Sequence, residues 1–122
     1  MLTLAAVLIV LLGLAHSVLG ERYILVRLFR RPDLPKLFGG TAFTTSTLRF
    51  AWHLTTLAWW GFAAILLHVE HGSLSTPRLL QVIAVTTFVS GLLPLFFTRG
   101  RHLSWIVFFT VAAVLAIAAT RA

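Results

Sequence analysis

Four long apolar runs, separated by short polar stretches, are the feature that most constrains how this chain folds. They cover about residues 2–20, 48–68, 78–97 and 102–120. A helix of about 20 apolar residues crosses the hydrocarbon core of a bilayer, and only helices or closed barrels satisfy their backbone hydrogen bonds there. The sequence therefore predicts an all-α membrane protein, a single domain over residues 1–122 with four transmembrane helices in an up-down bundle.

The composition agrees with lipid as the solvent of this chain. Hydrophobic residues make up 59% of it and charged residues 11%, whereas a soluble domain usually carries about 25% charged residues. The net charge of +7 comes from cationic residues placed beside the apolar runs. Anionic lipid headgroups explain this placement, so we expect the lipid bilayer as a partner and no nucleic acid. The absence of cysteine excludes disulfides and thiolate chemistry.

The distribution of cationic residues predicts the orientation of the helices. The connections between the first and second helices and between the third and fourth hold eight of the ten Lys and Arg residues, counting Arg49 and Arg101 at the helix entrances. By the positive-inside rule these connections lie in the cytoplasm. Both termini then lie outside, in the periplasm of a bacterial inner membrane. No Lys or Arg precedes the first run, which favours a retained helix over a signal peptide.

Five ionisable residues near the predicted cytoplasmic helix ends are the candidate functional residues. They are His16 and Glu21 in the first helix, Arg49 and His53 in the second, and His102 in the fourth. Ionisable side chains within a membrane span are rare and are commonly functional. Because the first two helices are antiparallel and rise about 1.5 Å per residue, we expect His16 and His53 at similar depth, in positions to face each other.

A bound cofactor is the sharpest functional hypothesis for this cluster. A transition metal accepts imidazole nitrogen and carboxylate oxygen, and its ligands here would be His16, His53, Glu21 and His102. A b-type haem would instead lie between His16 and His53, with glycines beside the histidine making room for the porphyrin. The residues expected to contact such a cofactor are His16, His53, Arg49 and Trp52.

Three other interpretations of the same residues stay open. In the first, they serve only helix packing, and the protein is a structural or accessory subunit of a larger membrane complex. In the second, they line a pocket for a quinone, a lipid headgroup or a small solute. In the third, the chain is one protomer of a homodimeric transporter. No G-x-S-x-G, P-loop or paired-carboxylate pattern is present, so the sequence leaves catalysis undecided.

Two segments carry a family resemblance. They are Ala15-His16-Ser17-x-x-Gly20-Glu21-Arg22 and Arg49-Phe50-Ala51-Trp52-His53-Leu54-Thr55. Together they resemble a set of small, functionally uncharacterised four-helix proteins of bacterial inner membranes. In layout the resemblance extends over most of the chain, and it implies a bacterial membrane location. It implies no reaction and does not choose between the interpretations above.

Overall fold

The computed structural model describes residues 1–122, which form four long helices and no β-sheet. The helices are α1 (Leu2–Leu28), α2 (Ala42–Glu70), α3 (Thr76–Phe97) and α4 (Ser104–Arg121). Each is long and apolar enough to cross a membrane. The structure therefore confirms the all-α class and the four candidate spans.

The helices at the arginine-rich end extend further than the sequence predicts. The first helix continues past residue 20 to Leu28, and the second begins at Ala42 rather than at residue 48. Gly20 does not end α1, because its backbone keeps helical angles of φ −62° and ψ −47°. Residues Gly20–Leu25 form a π-helical segment inside α1, a local widening that is often found at functional sites. The loop between α1 and α2 is shortened to residues 29–41.

The third helix begins at a capping signal, two residues before the predicted start. Ser75 is its N-cap, with extended backbone, and its Oγ accepts a hydrogen bond from the Arg78 N–H at 3.4 Å. Pro77 lies in the first turn, where backbone N–H groups have no partner within the helix, so the N–H that proline lacks is not needed. The fourth helix begins at Ser104, two residues after the predicted start.

Each helix packs only on its neighbours in sequence. Contacts join α1 to α2, α2 to α3 and α3 to α4, whereas no Cα atoms of α1 and α4 lie within 8 Å of each other. Large apolar side chains remain exposed along the outer helices, Leu8 and Leu12 on α1 and Val107 and Val114 on α4 among them. The four helices therefore form an open series, and the predicted bundle is not closed between α1 and α4.

Small residues on α1 set how closely α2 approaches. Ala6, Gly13 and Gly20 are buried and lie seven residues apart, the repeat of left-handed helix pairs. A Cβ atom on Gly13 would lie 2.7 Å from Trp60 Nε1, and one on Gly20 would overlap the Trp52 indole. The glycines therefore form a notch that receives large side chains of α2 and brings the two backbones together.

Candidate functional site

Side chains of α2 donate hydrogen bonds to backbone carbonyl oxygens of α1. The donors lie four residues apart and the acceptors three apart, in opposite chain directions, so the two helices are antiparallel. The pairs are Trp52 Nε1 to His16 O at 3.0 Å, Thr56 Oγ1 to Gly13 O at 3.1 Å and Trp60 Nε1 to Val10 O at 3.3 Å. A carbonyl oxygen has two lone pairs, so these bonds fasten α1 without breaking its helix.

From the middle of this interface, a chain of hydrogen bonds runs towards the arginine-rich end. Thr56 Oγ1, which donates to the Gly13 carbonyl, lies 2.7 Å from Ser17 Oγ. Ser17 Oγ in turn lies 2.9 Å from His53 Nδ1. The other ring nitrogen, Nε2, lies 3.2 Å from Glu21 Oε2. The chain therefore joins two hydroxyls, an imidazole and a carboxyl group across the α1–α2 interface.

Arg49 holds the same carboxyl group from α2. Its Nη2 lies 2.9 Å from Glu21 Oε1, and its Nε donates to Glu21 Oε2 at 3.2 Å, the two-pronged arrangement that favours carboxylates. The guanidinium also lies over the Phe29 ring, 4.9 Å from its centre. The side chains of Glu21, Arg49 and His53 are 33%, 35% and 21% exposed. The cluster is thus mostly buried but reaches the surface at the helix edge.

The hydrogen bond from Thr56 to the Gly13 carbonyl sets one order of donation along these contacts. A hydroxyl has one proton and a carbonyl oxygen only accepts, so when Thr56 donates to the α1 backbone, Ser17 donates to Thr56. His53 Nδ1 must then carry a proton and donate to Ser17. Nε2 faces a Glu21 oxygen, and this contact is attractive only with one more proton between the two atoms. The two bonds from Arg49 suit a carboxylate at Glu21.

His16 has different surroundings from His53. Its ring stacks on the Trp52 indole, with ring centres 4.5 Å apart and planes within 2°, and it meets the edge of Trp59 at 5.2 Å. Its Nε2 lies 3.3 Å from the backbone oxygen of Trp52, to which it donates. The two histidines that the sequence places at similar depth are therefore held by different partners. His16 belongs to an aromatic stack, and His53 to the hydrogen-bonded chain.

His102 lies at the turn between α3 and α4. Its Nδ1 is 2.8 Å from Ser104 Oγ, and its backbone N–H donates to Thr98 Oγ1 at 3.0 Å. Its ring meets the edge of Phe50 on α2, with ring centres 5.0 Å apart. These contacts order the start of α4.

The structure gives no support to the predicted metal or haem site. No three His, Cys, Asp or Glu side chains converge as metal ligands, so the set His16, His53, Glu21 and His102 is not brought together. Both ring nitrogens of His53 and Nε2 of His16 bond to protein atoms, and none of the principal cavities is lined by these histidines. Arg49 and Trp52, expected beside a cofactor, contact Glu21 and His16.

Two residues of this row of hydrogen bonds, Ser17 and Thr56, are not among the site residues predicted from the sequence. A spacing signal for them exists. Ser17 precedes Glu21 by four residues and Thr56 follows His53 by three, so each hydroxyl shares a helix face with an ionisable side chain. A hydroxyl residue three or four positions from an ionisable residue, on each of two consecutive antiparallel helices, is a pattern that predicts a polar contact between the helices.

Comparison with known proteins gives no function for this chain, so a functional proposal depends on its own geometry. No family model, no curated protein and no solved structure matches it. The fold and site together define a helical protein with four candidate membrane spans and a polar clasp, the network Ser17, Glu21, Arg49, His53 and Thr56, between the first two.

Proposed function

We propose that the chain is a small multi-pass protein of a bacterial inner membrane that binds a proton between His53 and Glu21 and responds to its loss. The observation that supports the proposal is the row of hydrogen bonds from the Gly13 carbonyl to Glu21, all of which are made when Thr56 donates to that carbonyl and one proton lies between Nε2 and Oε2. The proposed site includes His53, Glu21 and Arg49 of the site expected from the sequence, and it leaves out His16.

The expected response to loss of the proton follows from the positions of the hydrogen-bond partners of His53. His53 is on α2, whereas both of its hydrogen-bond partners, Ser17 and Glu21, are on α1. When the shared proton leaves, the Nε2 lone pair faces a carboxylate oxygen and the contact becomes repulsive. Arg49 is the only other charged contact of this pair, and α3 brings the uncharged Phe97 ring to 6.4 Å. We therefore expect loss of the proton to loosen α1 from α2 at the arginine-rich end.

The test of this response is the distance between α1 and α2 as a function of pH. Spin labels on Val18→Cys and Ala51→Cys, at exposed positions beside the clasp, should report a narrow distance distribution at about pH 5 and a broader, longer one at about pH 9, a range that covers imidazole titration. In the Glu21→Gln variant the amide donates to a neutral His53, so its distribution should not change with pH.

Labels at the apolar end of the same helix pair provide the matched control. Leu8→Cys and Phe62→Cys lie at exposed positions away from the clasp, and their distance should stay constant over the same pH range. A wild-type distance beside the clasp that also stays constant would contradict the proposed response.

A second candidate function is supported by a different observation. All the polar groups of the clasp find partners within the chain, which is what a device for helix packing requires. The protein would then be an accessory subunit of a larger membrane complex or homo-oligomer. This function predicts a constant distance beside the clasp at all pH values, and co-purifying subunits in native mass spectrometry.

The proposed orientation places the clasp on the cytoplasmic side and both termini in the periplasm. Its support is the arginine-rich composition of the α1–α2 and α3–α4 connections. Because the chain has no cysteine, single cysteines report the side directly. We expect a membrane-impermeant maleimide to label His71→Cys in intact spheroplasts, and Gly40→Cys only after permeabilisation. The reverse pattern would contradict the orientation.

A further inference from the structure

A polar cavity lies at the arginine-rich end, between the start of α2 and the turn that joins α3 to α4. Its volume is about 320 Å³. Four of its seven lining residues are polar or charged, namely Ser46, Thr98, Arg99 and Arg101, and the others are Ala42, Phe43 and Phe97. Two arginines and two phenylalanines therefore line one concave surface.

Neither of these arginines has a counterion within the chain. The protein has three acidic residues. Glu21 is paired with Arg49, and Asp33 with Arg31, whereas Glu70 lies at the opposite end of α2. Two cations that share a cavity repel each other unless an anion lies between them. We propose that this cavity binds a phosphate group, which guanidinium groups recognise by paired hydrogen bonds.

The backbone at Arg99 adds an independent argument. The Arg99 N–H donates to Phe96 O at 3.3 Å and the Gly100 N–H donates to Leu95 O at 2.8 Å, the two bonds of a Schellman motif at a helix end. In this motif the residue at the position of Arg99 is usually glycine, because its φ is positive, and here φ is 52°. Arginine thus occupies a position at which glycine would make the turn with less strain.

The turn is held in one arrangement by Thr98, which is 4% exposed. Its Oγ1 donates to Pro94 O at 2.6 Å and accepts from the His102 N–H at 3.0 Å. Its backbone oxygen accepts from the Arg101 N–H at 3.1 Å. Both arginines therefore extend from an ordered backbone, which reduces the ordering needed when an anion binds.

The phosphate group has two possible sources, a lipid headgroup and free phosphate. The rings of Phe43 and Phe97 beside the arginines suit an amphiphile, whose phosphate meets the cations while its acyl chains meet the apolar surface. The cavity shares no residue with the polar clasp, so the inference does not depend on the proposed proton site.

The test uses the full chain in detergent micelles and two probes, dihexanoyl-phosphatidylglycerol and inorganic phosphate. The wild type should bind at least one of them. Arg99→Gly should weaken that binding about tenfold, the effect of losing one hydrogen bond to a charged group, while its thermal midpoint stays equal or rises because glycine suits the positive φ. Arg78→Gln, at the opposite end of α3, is the control and should bind as the wild type does.

The outcomes separate the two sources. Binding of phosphatidylglycerol alone assigns the cavity to a lipid headgroup, and binding of both probes assigns it to the phosphate group itself. The inference is overturned if the wild type binds neither probe, or if Arg99→Gly and Arg101→Gln both bind as tightly as the wild type.

Discussion

Replacing Glu21 by alanine is expected to lower the free energy of unfolding by about 2 to 3 kcal/mol, near the low end for breaking a buried ion pair because the carboxyl group is partly exposed. Glu21 is the one acid that contacts both Arg49, at 2.9 Å, and His53, at 3.2 Å. Its removal leaves Arg49 without a counterion and His53 Nε2 without a hydrogen-bond partner. The measurement is reversible unfolding in mixed micelles, followed by circular dichroism.

Glu21→Gln is the matched variant, because it keeps the shape of the side chain and replaces an acceptor by a donor. The glutamine amide donates to Nε2, so His53 becomes a neutral imidazole that still donates from Nδ1 to Ser17. In ¹⁵N spectra of histidine-labelled protein, His53 should change from two protonated ring nitrogens to one, while His68 in the opposite turn stays unchanged. Identical His53 spectra in the two proteins would refute the shared proton.

Trp52→Ala is expected to lower the free energy of unfolding by about 3 kcal/mol, within the range for removing a large packed side chain. The indole stacks on the His16 ring and donates to the His16 carbonyl at 3.0 Å. It also fills the notch over Gly20. The alanine variant loses all three contacts, and the same unfolding measurement detects the loss.

Two further variants separate these contributions. Trp52→Phe keeps a stacked ring and loses only the N–H donor, so we expect a smaller loss of about 1 kcal/mol. Gly20→Ala should be harmful in the wild type, where its Cβ overlaps the indole, and tolerated in the Trp52→Ala background. If the two substitutions are simply additive, Trp52 does not occupy the notch.

The number of spans could be predicted from the sequence because hydropathy and length report it directly. The helix limits at the arginine-rich end could not. Gly20 and the arginines beyond it resemble a helix end, yet α1 passes through them to Leu28 with a π-helical segment. A glycine in a helix is ambiguous, since it ends some helices and in others makes room for a neighbour. Here the neighbour is Trp52.

The sequence predicts how far along its helix each candidate residue lies, but not towards which neighbour its side chain points. Counting residues from the charged boundary places His16 and His53 at one level, which suggested that they share a ligand. Helix rotation gives them different partners: the notch formed by Gly13 and Gly20 sets how α2 lies on α1, and His53 meets Ser17 while His16 meets Trp52. Rotation depends on side-chain fit between two helices, which hydropathy does not describe.

The cavity at Arg99 was beyond sequence reasoning for a different reason. A positive φ at an arginine is uncommon, and nothing in the run Thr98-Arg99-Gly100-Arg101 shows that the left-handed residues begin before the glycine. The turn takes this form because the buried Thr98 hydroxyl ties the end of α3 to the start of α4.

The open series of helices has a consequence for biogenesis. Because each helix contacts only the one before and the one after it, the contacts of every helix are complete once its successor is in place. Local contacts of this kind form quickly and require no long loop to close. We therefore expect insertion and folding to proceed together from the N-terminus, so that each emerging helix docks on a partner already in its final place.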